Sequence, residues 1–264
     1  MAFALRKKKP ARVMTVSAAE RLTPNMVRVT LTADFIGSLS AGIEGAHCKL
    51  FLPEPGQSEA SFRAQLDDGP RPTVRTYTIR YIRPALSEMD IDFVDHGDAG
   101  PASAWARRAV PGQFCGFAGP GPVKLSSFFA DYYVVAADMS ALPVAAATLE
   151  AMPRDAKGIA VFEVTCADDR QPIDAPPGIE QHWIVHAEPH HASDRAVEMI
   201  RNLPAFQGKV QTCIAGESSV IKALRAEIMQ NRAVPKANAY ISGYWKIGLV
   251  EDEHQQAKRS EAAA

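Results

Sequence analysis

Apolar and polar positions alternate with a period of two through most of the first half of the chain. In Val74-Arg75-Thr76-Tyr77-Thr78-Ile79-Arg80-Tyr81, Arg75, Tyr77, Ile79 and Tyr81 share one face, while Thr76, Thr78 and Arg80 share the other. Strands are expected over residues 26–32, 47–52, 74–82, 89–94 and 113–117, separated mostly by Pro- and Gly-rich turns. That spacing predicts an antiparallel sandwich or barrel from about residue 13 to 117. Residues 53–72 are polar with several prolines and glycines and read as a surface excursion. One small-residue helix, starting near Ala102, interrupts the β pattern.

From Asp131 the period changes. Residues 132–137 form a continuous apolar run of the kind a buried parallel strand requires, followed by a small-residue helix over 141–152. Strands over 159–166, 183–187, 210–215 and 238–241 then alternate with helices over 194–202 and 219–231. Such alternation predicts a doubly wound parallel sheet. Three segments result: a β domain over 1–127, an α/β domain over 128–242, and a helical tail over 243–264. In that tail Glu251-Asp252-Glu253 precedes Lys258 and Arg259, the order a helix dipole favours.

Composition narrows the function classes. The chain has 264 residues, is 47% hydrophobic and 22% charged, and carries a net charge of −1, as an ordinary globular protein does. No global field recruits nucleic acid or an anionic membrane, so attraction for a charged substrate has to be local. The basic run Arg6-Lys7-Lys8-Lys9 has no apolar stretch behind it for a signal peptide, and no run approaches a membrane span. Cys48, Cys115, Cys166 and Cys213 are far apart, with no C-x-x-C pair. They are expected as buried free thiols, which fits a reducing, cytoplasmic setting and argues against an iron–sulfur cluster.

Two segments carry candidate chemistry. Asp95-His96-Gly97-Asp98-Ala99-Gly100-Pro101-Ala102-Ser103-Ala104-Trp105-Ala106 joins a strand to a helix through a glycine turn. Backbone N–H groups left free there would suit a phosphate, although a capped strand–helix connection has the same sequence signature. On the strand 74–81, Arg75 can clamp a diphosphate, the Tyr77 phenol can pack on a flat conjugated ring, and the Thr78 hydroxyl can meet a flavin ring edge. Alternation turns Thr78 away from Arg75 and Tyr77, so all three serve together only if the strand bends or backbone atoms take part.

Together these segments resemble the siderophore-interacting protein family of flavin reductases, a branch of the ferredoxin–NADP reductase superfamily. The resemblance continues through Pro111-Gly112-Gln113, Gly119-Pro120-Gly121, Ala215-Gly216-Glu217 and Gly243-Tyr244-Trp245-Lys246, and so spans nearly the whole chain. It implies an N-terminal antiparallel β-barrel that binds FAD, and a C-terminal α/β doubly wound parallel sheet of the NAD(P)H-binding type. A flavin could then meet a nicotinamide between the two. The same resemblance makes His96, Gly97, Asp98, Ala102, Ser103 and Trp105 cofactor contacts. The implied activity passes electrons from NADH or NADPH through FAD to Fe(III) in a ferric siderophore, which loosens hard oxygen ligands. The flavin is then the catalytic group, and no catalytic side chain or protein-bound metal is expected.

The second half is less specific. No G-x-G-x-x-G follows its first strand. The family's acid-and-Thr turn reads Ala137-Asp138-Met139-Ser140 here, with Met139-Ser140 in place of the common Glu-Thr, and Ser140 is expected to cap the next helix toward a phosphate. Glu217 faces a cofactor or simply caps a helix. Asp168 and Asp169 favour a ribose diol while Arg170 favours a 2′-phosphate, so the reading leans to NADH, with NADPH the alternative. Tyr244 or Trp245 could cover the flavin, and Lys246, Lys258 and Arg259 could form a basic rim for an anionic ferric chelate. Two alternatives stand beside the NAD(P)H reductase: a ferredoxin-dependent ferric-siderophore reductase, and a siderophore-binding protein without enzymatic activity.

Overall fold

The computed structural model describes residues 11–98, 100–249 and 253. It divides into two compact units: residues 11–20 with Val27–Pro122, and Arg21–Met26 with the described residues from Val123 onward.

The first unit is a closed antiparallel barrel of β1 (Arg12–Thr23), β2 (Met26–Thr32), β3 (His47–Leu52), β4 (Thr73–Arg83), β5 (Glu88–Val94) and β6 (Phe114–Ala118). The strands run in the order β1-β2-β5-β4-β3-β6, and β6 closes the barrel on β1. Met14, Leu31, Leu50, Ile79, Ile91, Phe93 and Phe117 are fully buried, as alternation requires of inward positions. β5 is buried on both faces. Its Asp90 and Asp92 are covered by arginines, with Arg83 2.7 Å from Asp90 and Arg28 2.7 Å from Asp92.

Two segments depart from the sequence expectation. β1 is a full strand, although residues 18–21 are exposed and break the hydrophobic pattern. The excursion 53–72 holds the helix α1 (Glu59–Asp68), whose N-cap Ser58 accepts the Ser61 N–H. Phe62 of α1 is fully buried, its ring 5.5 Å from that of Phe114. Phe62 is the one fully buried residue of the helix, and it docks α1 on the barrel. After β5, the short helix α2 (Pro101–Arg107) follows Gly100, near where the small-residue run predicted it.

The second unit is a five-stranded parallel sheet in the order β11-β10-β7-β8-β9. Its elements are β7 (Tyr132–Asp138), α3 (Leu142–Ala151), β8 (Lys157–Val164), β9 (Gly178–Val185), α4 (Arg195–Arg201), β10 (Val210–Glu217), α5 (Ser218–Ala226) and β11 (Ala239–Trp245). A π-helical turn, Glu227–Asn231, continues α5. Val135 and Phe162 pack with α3 on one face, while Val134 and Ile214 pack with α4 and α5 on the other. The order reverses between β7 and β10, the switch point at which such sheets collect ligands. β11 runs to Trp245, so residues 243–245 belong to the sheet rather than to a tail. The tip 21–26 is held within this unit by Asp169, which accepts from Thr23 Oγ1 (2.8 Å), Asn25 N (2.9 Å) and Asn25 Nδ2 (2.8 Å). Among the described residues, no helix is long and apolar enough to cross a membrane.

Candidate functional site

Each unit carries part of the expected site. On β4, residues 74–77 are half-buried, and Thr78, Ile79 and Arg80 that follow are buried. Register against β3 sets Arg75 opposite Leu50 and Tyr77 opposite Cys48, with Thr76 opposite Lys49 and Thr78 opposite His47. Thr78 therefore lies on the face away from Arg75 and Tyr77, as alternation predicts. The ladder to β5 is irregular between Ile79 and Tyr81, one residue past Thr78, so the strand deforms beside the place where a bend is needed. The Tyr77 ring lies 4.4 Å from Phe93, and Phe93 lies 5.7 Å from Trp105, so aromatics from β4, β5 and α2 form one cluster of tilted rings. Arg75 Nη1 donates to the Val74 carbonyl (2.9 Å), and Lys49 Nζ donates to Thr76 Oγ1.

The turn between β5 and α2 corrects one expectation. The His96 N–H donates to Ser103 Oγ (3.1 Å) and the Gly97 N–H donates to Asp95 Oδ1 (3.1 Å), so neither is a free phosphate donor. Ala102 and Ser103 are buried and hold the turn from beneath; His96 and Asp98 are exposed. A Cβ at Gly100 would run into the His96 ring, so an alanine there would push that exposed side chain aside. Positive charge at the turn comes instead from α2 and its C-cap: Asp98 meets Arg108 at 3.0 Å and Arg107 at 3.5 Å. The Arg-Arg pair at the helix end was the sequence signal for this, and motif reading passed over it. A guanidinium and a half-buried phenol ring on one face of β4 are groups of the kind FAD needs, a cation for its diphosphate and an apolar face for its ring.

In the second unit the carboxyl ends of β7, β10 and β11 converge on Asp138, a residue outside the expected site. Its Oδ1 accepts from Ser140 N (2.9 Å), Ser140 Oγ (2.5 Å) and Ala141 N (3.2 Å). Its Oδ2 accepts from Glu217 N (2.8 Å) and Trp245 Nε1 (2.7 Å). Burial pushes the Asp138 carboxyl above its ordinary pKa, opposed by the hydrogen bonds from Ser140, Trp245, Ala141 and Glu217. Ser140 is accordingly not the helix cap: Ala141 occupies that position, without a side-chain bond, and the Ser140 hydroxyl turns back to Asp138.

Glu217 is the N-cap of α5. Its Oε2 accepts from Ser219 N (2.6 Å), Val220 N (3.1 Å) and the Ser219 hydroxyl, and its Oε1 accepts from Ile247 N (3.2 Å). Burial raises its pKa, but these bonds outweigh burial and hold it below the ordinary glutamate value. Trp245 is half-buried and Lys246 exposed. Lys258 and Arg259 lie outside the described residues. Asp169 is fully buried and bonded to Thr23, Asn25 and Cys166, which removes it as a ribose contact; Asp168 is exposed. Of the four free cysteines, Cys166 is only half-buried, against expectation. A cavity of about 540 Å³ on the barrel is lined by Arg12, Phe35, Arg63 and Asp67 among others, and by none of the expected site residues.

A closed antiparallel barrel joined to a doubly wound parallel sheet defines the two-unit fold that ferredoxin–NADP reductases share. Comparison with known proteins gives the particular branch. The siderophore-interacting FAD-binding domain matches residues 15–124 and the siderophore-interacting protein model matches residues 130–248, so the chain belongs to the siderophore-interacting protein family. It is 31% identical to the ferric vibriobactin reductase ViuB of Vibrio cholerae over 90% of each chain. It is 29% identical to the NADPH-dependent ferric-chelate reductase of Escherichia coli, over 89% of this chain and 92% of that one. The structure of the siderophore-interacting protein SipS from Aeromonas hydrophila superposes with a TM-score of 0.84 at 31% identity, covering 97% of this chain and 99% of that one. A ferredoxin–NADP+ reductase from Plasmodium falciparum shares the fold, with a TM-score of 0.60 at 11% identity over 89% of this chain and 96% of that one.

Proposed function

We propose that this protein is an FAD-dependent ferric-siderophore reductase that takes electrons from NADH or NADPH and acts in the cytoplasm. The observation that carries this reading is the half-buried stretch 74–77 of β4, where Arg75 and Tyr77 share one face of the strand just before the buried Thr78, Ile79 and Arg80. Arg75 binds the FAD diphosphate, Tyr77 packs along the ring or its ribityl chain, and Thr78 meets the ring edge. Phe93 packs against the Tyr77 ring, and Trp105 packs against Phe93. His96, Gly97, Asp98, Ala102 and Ser103 shape the turn beside it. When bound, FAD supplies the exchange between a two-electron hydride donor and a one-electron acceptor.

Trp245 provides a second aromatic for the bound cofactors, and Lys246 with Lys258 and Arg259 supplies local positive charge for an anionic ferric chelate. In the second unit, Ser140 and Glu217 act on the nicotinamide through the turns they hold rather than by direct contact, since their side chains are already bonded within the sheet edge. Names of relatives such as the ferric vibriobactin reductase and the NADPH-dependent ferric-chelate reductase support the substrate class and the donor. Four free cysteines support the reducing compartment.

The test is an anaerobic absorbance titration of FAD-loaded protein. Bleaching of the flavin bands by NADH or NADPH, and their return on adding a ferric siderophore, is the expected result. A flavin reduced by ferredoxin but by neither nicotinamide would replace the donor. Protein that binds ferric chelate but no FAD would overturn the enzyme reading in favour of a binding protein.

A further inference from the structure

Three stretches of chain far apart in sequence meet at the Asp138 carboxylate, and the two oxygens divide the work. Oδ1 is engaged entirely within its own turn, by Ser140 N, Ser140 Oγ and Ala141 N. Oδ2 reaches across the sheet edge to the Glu217 N–H and the Trp245 indole N–H. The turn thus locks the carboxylate, and the locked carboxylate offers its second oxygen in a fixed direction.

Trp245 is held at two further points. Ser218 Oγ donates to its carbonyl (2.8 Å), and two residues on, the Ile247 N–H donates to Glu217 Oε1 (3.2 Å). Those two bonds fix the backbone alone. A half-buried indole at the end of an edge strand retains a choice of rotamers unless something binds its ring. Among the described residues the ring's hydrogen bond is the one to Asp138, short at 2.7 Å and made to a half-buried carboxylate.

We propose that Asp138 is a positioning residue, which through Oδ2 holds the Trp245 indole in one orientation at the carboxyl edge of the parallel sheet. The proposal rests on the reading of Trp245 as a ring that serves the bound cofactors. The aromatic's place is thus set by β7, two strands away in the sheet. Three motif blocks, Ala137-Asp138-Met139-Ser140, Ala215-Gly216-Glu217 and Gly243-Tyr244-Trp245, are then parts of one device. Gly216 belongs to it because a Cβ there would stand 2.7 Å from Oδ2.

The experiment is proton–nitrogen correlation NMR of the full-length protein labelled with 15N at its three tryptophan indoles, recorded without and with FAD. Trp245→Phe assigns the signal. The wild-type Trp245 indole proton is expected downfield of a free indole, exchanging with water at least about tenfold more slowly than in Asp138→Ala. Asp138→Asn keeps a carbonyl acceptor and is expected to shift the signal part of the way, which gives a readout should Asp138→Ala fail to fold. A signal unmoved by either substitution, or one in fast exchange in the wild type, overturns the proposal. Because the signal is read without FAD as well, a protein that binds no FAD refutes the functional reading while the indole still decides the positioning role.

Discussion

At Gly216 a single hydrogen in place of a side chain makes room for a carboxylate. The φ of 150° there is one that L side chains rarely adopt, and a Cβ would also stand 2.8 Å from Asp138 Cγ. Gly216→Ala is therefore expected to lower stability by about 1–3 kcal/mol, the range for forcing atoms into packed space, measured as a lower midpoint in urea. Arg75, Tyr77 and Thr78 were legible from sequence because period two assigns faces along a strand without knowledge of its neighbours. Asp138 was not, because its cross-sheet donors come from residues 79 and 107 positions further on. The same limit applied at Asp169, read from its place after β8 as a ribose contact and found holding a hairpin tip. A carboxylate's role depends on which donors the fold brings to it, and local spacing carries no trace of donors that distant.

Elements were legible in proportion to how far their apolar pattern departs from surface composition. β7 announces itself by a continuous apolar run. By contrast α1 buries Phe62 alone among its ten residues, and lies among prolines and glycines that read as loop. Its stability depends on that one side chain. Phe62→Ala is expected to cost about 3–5 kcal/mol, as removal of a fully buried aromatic does. The loss would show in thermal melting, while the FAD dissociation constant of protein still folded stays unchanged. β1 escaped notice for the opposite reason: residues 18–21, Ala-Ala-Glu-Arg, are all exposed, so the strand loses its apolar alternation and looks like a break.

Across the whole molecule, the change from period two to continuous apolar runs marked the passage from barrel to parallel sheet, since a sheet covered on both faces cannot tolerate alternation. The ionisable groups give a whole-molecule expectation. Burial raises the pKa values of Asp90, Asp169 and Glu217, but hydrogen bonds from Arg83, Asn25 and Ser219 among others outweigh it and leave all three below ordinary carboxylates. Each binds protons less readily folded than unfolded. Their stabilisation is thus complete above the unfolded values of about 4 and is lost as pH falls below that range, through the folded values. Asp138, raised by burial, has the opposite sign and offsets part of the loss in its own unit. The midpoint of thermal unfolding is expected to drop between about pH 4 and pH 3, measured by circular dichroism; a midpoint constant over that interval would contradict the carboxylate assignments. The shared carboxylate at the sheet edge also bears on recombination between relatives. A chimaera that inherits its last strand from one parent and its first parallel strand from another keeps every backbone ladder, yet joins an indole and an aspartate that were never selected together. Crossovers between residues 138 and 245 are the ones such a protein family would purge first.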